Sequence, residues 1–222
     1  MGEVLSARVG HLPVRFSLKQ AAKACEAGEL KELWMPYRAL ETDRGLVGVN
    51  EVFSRFLVDP IDAVLLLRRV VGWAPGAPAG ACMGCTPEES RSFLELLLKA
   101  ASEAESRMRE LSEYRFEYAV ELARADFARA AFMPKPRVRA ADELRDVVDL
   151  VVARGIIREL GEVREPEREL VVYVPFAVCL ESHVFFDLNS GEEDRRLRVL
   201  AKKNDKVMGE VARALGVEVA GY

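Results

Sequence analysis

The chain has 222 residues, of which 50% are hydrophobic and 31% are charged, and its formal net charge is −4 at pH 7. This composition is typical of a packed globular protein of one large or two small domains and excludes a disordered chain. The acidic balance excludes a broad basic surface, although a local basic patch is compatible with it. No apolar run reaches the roughly 18 residues of a membrane-spanning helix. The N-terminus lacks a signal-peptide pattern, so we expect a cytoplasmic protein.

Amide side chains are scarce in this chain, which has one glutamine and three asparagines. Depletion of amides together with abundant Arg and Glu is typical of thermophilic proteins, because amides are thermolabile and ion-pair networks gain value at high temperature. A GC-rich genome, whose codons favour Arg, Ala, Gly and Val, is the alternative explanation. We expect a protein from a thermophilic prokaryote.

Residues 1–73 are predicted to form an N-terminal α+β unit. A capping-box sequence and helical spacing of apolar residues predict a first helix that ends at Gly28. Two strands around an Asp-Arg-Gly turn come next. For residues 60–71 the pattern favours a helix, because Pro60 suits a first helical turn. A strand over 63–71 is the alternative, since short apolar runs fit both structures.

Residues 74–86 form a Gly/Pro-rich linker that ends in a CxxC motif made by Cys82 and Cys85. Because the motif precedes a predicted helix, the helix dipole would lower the thiol pKa values and favour metal binding or redox chemistry. A zinc site needs four ligands, so two chains would each have to supply one motif. The alternative is a structural or chance pair. We predict no cofactor, with zinc at this motif as the second hypothesis.

The other two cysteines, Cys25 and Cys179, lie within apolar patterns. Thiols of cytoplasmic proteins are kept reduced, and a buried free cysteine behaves as a small hydrophobic residue. We therefore expect both side chains to be reduced and to belong to the core.

Residues 87–133 are predicted to be helical throughout. Pro87 fits the first helical position, and no helix-breaking residue occurs before Pro134. An apolar stripe with steps of three and four residues runs from 97 to 125, which is typical of a coiled coil. The pattern predicts one long helix or a helical hairpin with a kink at 112–116. The stripe is predicted to mediate self-association or to bind a protein partner.

Residues 134–222 are predicted to form a C-terminal α+β unit, which begins with a basic connector that contains prolines. Helical spacing predicts a helix over 141–160. Two apolar strands follow, and a last helix, capped by Asn189 or Ser190, is predicted to end at Gly216.

The helix at 141–160 and the charged turn and strand after it resemble the last helix and wing of winged-helix modules. The resemblance covers residues 141–176 and implies a helix that enters the DNA major groove, with Lys135, Arg137 and Arg139 as phosphate contacts. Four acidic residues on the helix oppose binding to phosphates. Some modules of this kind bind proteins instead.

The two α+β units share a weak internal repeat. WMPY at 34–37 matches YVPF at 173–176 as aromatic, apolar, proline, aromatic, and Asp59 and Asp187 close the second strand of each hairpin. Because proline lacks an N–H group, it is predicted to lie at a sheet edge or a bulge. The flanking aromatic residues are then core anchors, or the two strands are edges that bind a partner by strand addition.

These patterns together predict an α+β fold in which two small helix/β-hairpin/helix units flank a long central helix or helical hairpin. No catalytic residue is identified, because the two histidines, His11 and His183, do not combine with a nucleophile at a local spacing. We therefore expect a non-enzymatic interaction or scaffold protein that acts in a complex. The alternatives are a winged-helix-type nucleic-acid-associated protein and a CxxC metal-binding or thiol-redox protein.

Overall fold

The chain divides into two compact units, a sheet unit (Met1–Leu57, Leu66–Ser90 and Glu162–Tyr222) and a helical unit (Val58–Leu65 and Arg91–Gly161). The computed structural model describes residues 8–25, 28–56, 60–84, 99, 102–110, 113–124, 127–134, 141–160 and 170–217. None of the helices in these ranges is long and apolar enough to cross a membrane.

The sheet unit is built on one mixed sheet, which has eight strands within the described ranges. They are β1 (Arg8–His11), β2 (Leu30–Thr42), β3 (Gly45–Asn50), β4 (Leu67–Arg69), β5 (Ala74–Pro75), β6 (Leu170–Cys179), β7 (Val184–Asp187) and β8 (Glu192–Glu193). The α-helices named within the described ranges of the two units are α1 (Leu18–Ala21), α2 (Glu51–Ser54), α3 (Pro60–Leu65), α4 (102–110), α5 (Glu113–Ala123), α6 (Phe127–Phe132), α7 (Ala141–Leu160), α8 (Arg195–Lys203) and α9 (Asp205–Ala214).

The centre of the sheet is the antiparallel pair of β2 and β6, in which the two repeated motifs lie side by side. Trp34 is opposite Pro175, and Pro36 is opposite Tyr173. The pairs Trp34–Pro175 and Tyr173–Pro36 are therefore equivalent. The two motifs are related by a local two-fold axis that passes near Met35. Side chains on one face of this pair, including Met35, enter the main core.

The prolines lie where each central strand changes its neighbour. On the outer edge of β2, Trp34 bonds to the 81–83 segment, whereas β3 pairs only from Tyr37 onward. Because alternate residues of a strand point to the same edge, the missing N–H of Pro36 falls in the gap between these two partners. Pro175 falls in the corresponding gap between β1 and β7 on the outer edge of β6. Neither proline therefore costs the sheet a ladder hydrogen bond.

The two-fold relation extends to the neighbouring segments. The N–H of Leu12 donates to the carbonyl of Tyr173, just as the N–H of Met83 donates to the carbonyl of Trp34. Each half of the repeat thus lends a parallel segment to the hairpin of the other half. In the second half, residues 91–161 are inserted between this segment and β6, so most of the helical unit is an insertion into the repeat.

The predicted fold class is wrong, because both hairpins belong to a single sheet and do not form separate units. The sequence pattern placed both hairpins and their turns, but the strand that was predicted to close at Asp59 ends at Asn50 and is followed by α2. However, β2 and β6 each have one apolar face and an unpaired edge when taken alone. Pairing them with each other satisfies the backbone and buries both faces, and no local sequence signal reports this long-range choice.

The predicted long central helix is also wrong. Helix α5 ends at Ala123, Arg124 lies in a turn, and α6 begins at Phe127. Within the helical unit, α5 packs against α7, where Ala119 and Ala153 are fully buried and leave room for close approach. Tertiary packing of several short helices therefore replaces a continuous heptad seam.

Part of the predicted 97–125 stripe is used inside the helical unit. Ala104 is fully buried, while Met108, Tyr118 and Leu122 are half-buried. The side chains of the other predicted stripe members lie outside the described residues. Self-association through this stripe stays a prediction.

The remaining helix predictions are met in part. Residues 60–71 contain both alternatives, since α3 ends at Leu65 and β4 begins at Leu67. The predicted last helix is split into α8 and α9 at Asn204, whose side chain accepts a hydrogen bond from the N–H of Val207 and so caps α9.

The segment that leads from β1 into α1 is held against the β7–β8 turn. The N–H groups of Arg15 and Phe16 both donate to the carbonyl of Leu188, and the Asn189 amide donates to the carbonyl of Pro13. Ala21 of α1 packs with Ala177 and Leu188 in a small apolar cluster.

Gly191 allows this close approach, because a Cβ there would lie 2.5 Å from the Phe16 ring and its φ is +81°. We expect Gly191→Ala to lower the free energy of unfolding by about 2 kcal/mol or more, since it adds left-handed strain and a steric clash. Gly72 has a similar φ of +73° and open space around it. Gly72→Ala therefore measures the cost of left-handed backbone strain without a steric clash. Urea unfolding that shows equal losses for the two variants would contradict the Phe16 contact.

Candidate functional site

Ionisable side chains converge where the sheet curls back on itself. The Arg68 guanidinium on β4 pairs with the Asp187 carboxylate on β7, with 2.6 Å between Nη1 and Oδ2. Arg68 also lies over the Tyr37 ring, 5.6 Å from its centroid. In the sheet order, β4 and β7 lie on opposite sides of the β2–β6 pair. Their contact therefore requires a strongly curled sheet, which the ion pair closes.

The local two-fold axis relates the members of this cluster. Asn50 faces Tyr37 across the first hairpin, as Asp187 faces Phe176 across the second. Both Asn50 and Asp187 accept hydrogen bonds from the backbone that follows their strand. Asp59, predicted from the sequence as the counterpart of Asp187, lies outside the described residues, and Asn50 has the matching register.

Burial controls the electrostatics of the cluster. Tyr37 is 1% exposed, and desolvation, reinforced by Asp194, raises the pKa of its hydroxyl well above the usual range. Desolvation also raises the pKa of Asp194, although Arg68 and two backbone N–H groups at the start of α8 oppose this effect. Burial disfavours the Arg68 cation, but Tyr37 and Asp187 outweigh it and raise the pKa of Arg68.

A second ion-pair group lies at the end of β3. The Glu51 carboxylate accepts from Arg38 at 3.2 Å and from Arg55 at 2.9 Å. The side chains of Arg38 and Glu51 are almost completely buried. Asn50 caps the short helix α2 that carries Glu51, by accepting from the N–H of Phe53 at 3.0 Å.

The interactions of the Arg68 cluster stabilise the fold. Tyr37 is a neutral donor at pH 7, and Asp187, which is 6% exposed, has its oxygens occupied by Arg68 and by the N–H groups of Asn189 and Ser190. Tyr37 and Asp187 are thus shielded from a substrate, whereas the Arg68 side chain retains 22% exposure. Arg68 was not predicted from the sequence, because its only signal was an arginine within an apolar run.

The exposed residue Cys82 lies in a segment that pairs with Trp34, and its sulfur is not part of a disulfide. Burial raises the pKa of the Cys82 thiol, which is opposite to the lowering that a reactive thiolate requires. Cys85 lies outside the described residues. Within the ranges that are described, no three His, Cys, Asp or Glu side chains are placed to hold a metal ion. The zinc and thiol-redox hypotheses stay predictions.

The predicted phosphate contacts Lys135, Arg137 and Arg139 all lie outside the described residues. The strand that was matched to a wing is β6, which pairs with β2 along one edge and with β1 and β7 along the other. A wing is an exposed hairpin that touches DNA, whereas Val172 and Val174 of this strand are fully buried. The winged-helix resemblance therefore does not extend to the sheet.

Cys25 and Cys179 are joined by a disulfide, across a sequence separation of 154 residues. The expectation that both are reduced is wrong. They come together because the turn after α1 reaches the end of β6, where Glu181 and Ser182 lie beside the sulfur atoms. A signal for this bond was present in the thermophile-like composition, since intracellular proteins of hyperthermophiles are rich in disulfides.

Comparisons of the chain with protein-family models, with curated proteins and with solved structures find no match.

Proposed function

We propose that this chain is a non-enzymatic interaction or scaffold protein that acts in a complex in a thermophilic prokaryote. The observation that carries the proposal is the burial of Tyr37 and Asp187 in the cluster that they form with Arg68. Groups with shifted pKa values concentrate at functional sites, but structural ion-pair networks shift them as well. Here the Arg68–Asp187 pair closes a curled sheet, and Tyr37 and Asp187 are buried.

The construction of the sheet unit supports a scaffold role. The disulfide ties the first turn after α1 to β6, and the Arg68–Asp187 pair ties β4 to β7. Cross-links between distant segments restrict local opening, so the sheet unit is a rigid support. Large apolar side chains are exposed in each unit, Val71 in the sheet unit and Phe132, which is 91% exposed, in the helical unit.

The proposal is tested by isolating the complex. The tagged chain is purified under mild conditions from the source cells, and its mass is measured by light scattering. We expect a stoichiometric partner, or a second copy, that reassembles from purified components with a micromolar or tighter Kd. Phe132→Ser and Val71→Ser, matched changes in the two units, then show which unit provides the contact. A strict monomer that recruits no stoichiometric component would contradict the proposal.

A further inference from the structure

The strongest concentration of positive charge within the described ranges is helix α8. Its nine residues include five cations and no acidic residue, in a chain whose net charge is −4. Leu197 and Ala201 are buried and fix one side of the helix against the core. The cations are thereby presented from a rigid element, which reduces the entropy lost when they bind a ligand.

Three of these cations form a line, here called the basic stripe: Arg195, Arg198 and Lys202. Their spacing of three and four residues puts them on one flank of the helix. Arg195 and Lys202 are exposed, while Arg198 pairs with Glu193 at 3.0 Å. The Glu193 contact holds Arg198 in place but also lowers the net charge of the stripe.

A residue with a strained backbone lies just before β7, the strand against which α8 packs. His183, in the β6–β7 turn, has a φ of +54°, and it is the one non-glycine residue in the described part of the chain with a positive φ. Such backbone strain often marks functional positions. Desolvation, with Lys202 and Arg198 next in importance, lowers the pKa of His183, and Asp205 opposes them. Helix α8 packs against β7, the strand that begins directly after this turn.

We infer that the basic stripe binds the phosphate backbone of a nucleic-acid duplex. A line of cations fits a polyanion better than a single phosphate ion, which needs donors that converge on one point. Arg195 and Lys202 are roughly 10 Å apart along the helix axis, which corresponds to about three phosphates of one strand. This interface differs from the one that sequence analysis placed at 135–139.

An anionic membrane is the other extended polyanion, and the structure disfavours it. A basic helix binds a bilayer by inserting its apolar face among the lipids. The apolar face of α8 is already used in the core, through Leu197 and Ala201. The inference does not rest on the proposed function, because a nucleic-acid surface and a protein-binding surface can fail or succeed independently.

The test measures binding of the full chain to a fluorescent 20-base-pair duplex of mixed sequence, from 50 to 200 mM salt. Three neutralised phosphates predict a slope of about −2.7 for log K against log salt. We expect Arg195→Gln/Lys202→Gln to weaken binding at least about tenfold at 50 mM salt and to make the slope shallower by about 1.8, because two phosphate contacts are lost.

The matched control is Lys19→Gln/Lys23→Gln, which removes the same charge from exposed positions around α1. We expect it to change the affinity less than twofold. Equal weakening by both double variants, or no binding of the wild-type chain at 50 mM salt, would overturn the inference. Binding of the same variants to vesicles that contain anionic lipid is measured as well. If the chain binds vesicles more tightly than the duplex, and Arg195→Gln/Lys202→Gln loses this binding, then the ligand is an anionic membrane and the inference is overturned.

Discussion

Cys25→Ser is expected to lower the free energy of unfolding by about 5 kcal/mol under oxidising conditions, because the disulfide closes a loop of 154 residues and so restricts the unfolded chain. Cys25 is the better position to change, since Cys179 is fully buried and serine there would add an unsatisfied hydroxyl group. Guanidinium unfolding measures the loss. A reducing agent should destabilise the wild-type chain by a similar amount and leave Cys25→Ser unchanged.

Cys82→Ser is the matched control, because Cys82 is exposed and free. It should leave stability within about 0.5 kcal/mol of wild type, as surface substitutions usually do. Peptide mapping without reduction should recover the peptides of Cys25 and Cys179 as one cross-linked species. Equal stability of Cys25→Ser and wild type under oxidising conditions would show that the disulfide contributes nothing.

Arg68→Met should destabilise the chain by about 3 kcal/mol, because it leaves the buried Asp187 carboxylate without its cation. Removal of one partner of a buried ion pair costs about 3–5 kcal/mol. The lower value applies here because the Arg68 side chain retains 22% exposure. Arg69→Met, at an exposed position of the same strand, should have little effect. In Arg68→Met/Asp187→Asn the loss should be smaller than the sum of the single losses, which thermal or urea unfolding can measure.

The pH dependence of this variant has a definite sign. The folded-state pKa of Asp194 is raised above its ordinary value of 3.8, so the folded chain binds a proton more readily than the unfolded one. Stability is therefore lost as pH rises from that value through the folded pKa. Because Arg68 lowers the pKa of Asp194, Arg68→Met should extend this window to higher pH. Urea unfolding of the two chains at a series of pH values measures the shift, and parallel stability profiles would contradict the coupling.

The hairpins were predictable because their signals are local. Apolar runs and turn residues placed β2–β3 and β6–β7, and the repeated WMPY and YVPF motifs indicated that the two hairpins correspond, although their prolines lie in central strands and not at a sheet edge. The ionic cluster was not predictable. Arg68 and Asp187 are separated by 119 positions, and a lone arginine in an apolar run does not identify its partner.

The long helix failed for a related reason. A heptad-like stripe reports which side of each turn is apolar, and it does so equally for a continuous helix and for several short helices that pack together. Ala104 satisfied the stripe, yet it is fully buried within the chain's own helical unit. Length alone could not distinguish these outcomes, because helix stability depends on what the apolar side packs against.

The sequence by itself determined where strands begin and turn, which faces are apolar, and that the two hairpins are variants of one pattern. Only the tertiary structure decided that β2 and β6 pair with each other, that Cys25 meets Cys179, and that Arg68 closes the curled sheet onto Asp187. The physical reason is the separation along the sequence over which each interaction acts. Backbone propensity and hydrophobic period act over a few residues, whereas strand pairing, disulfides and buried ion pairs join segments whose proximity exists only after the chain has folded.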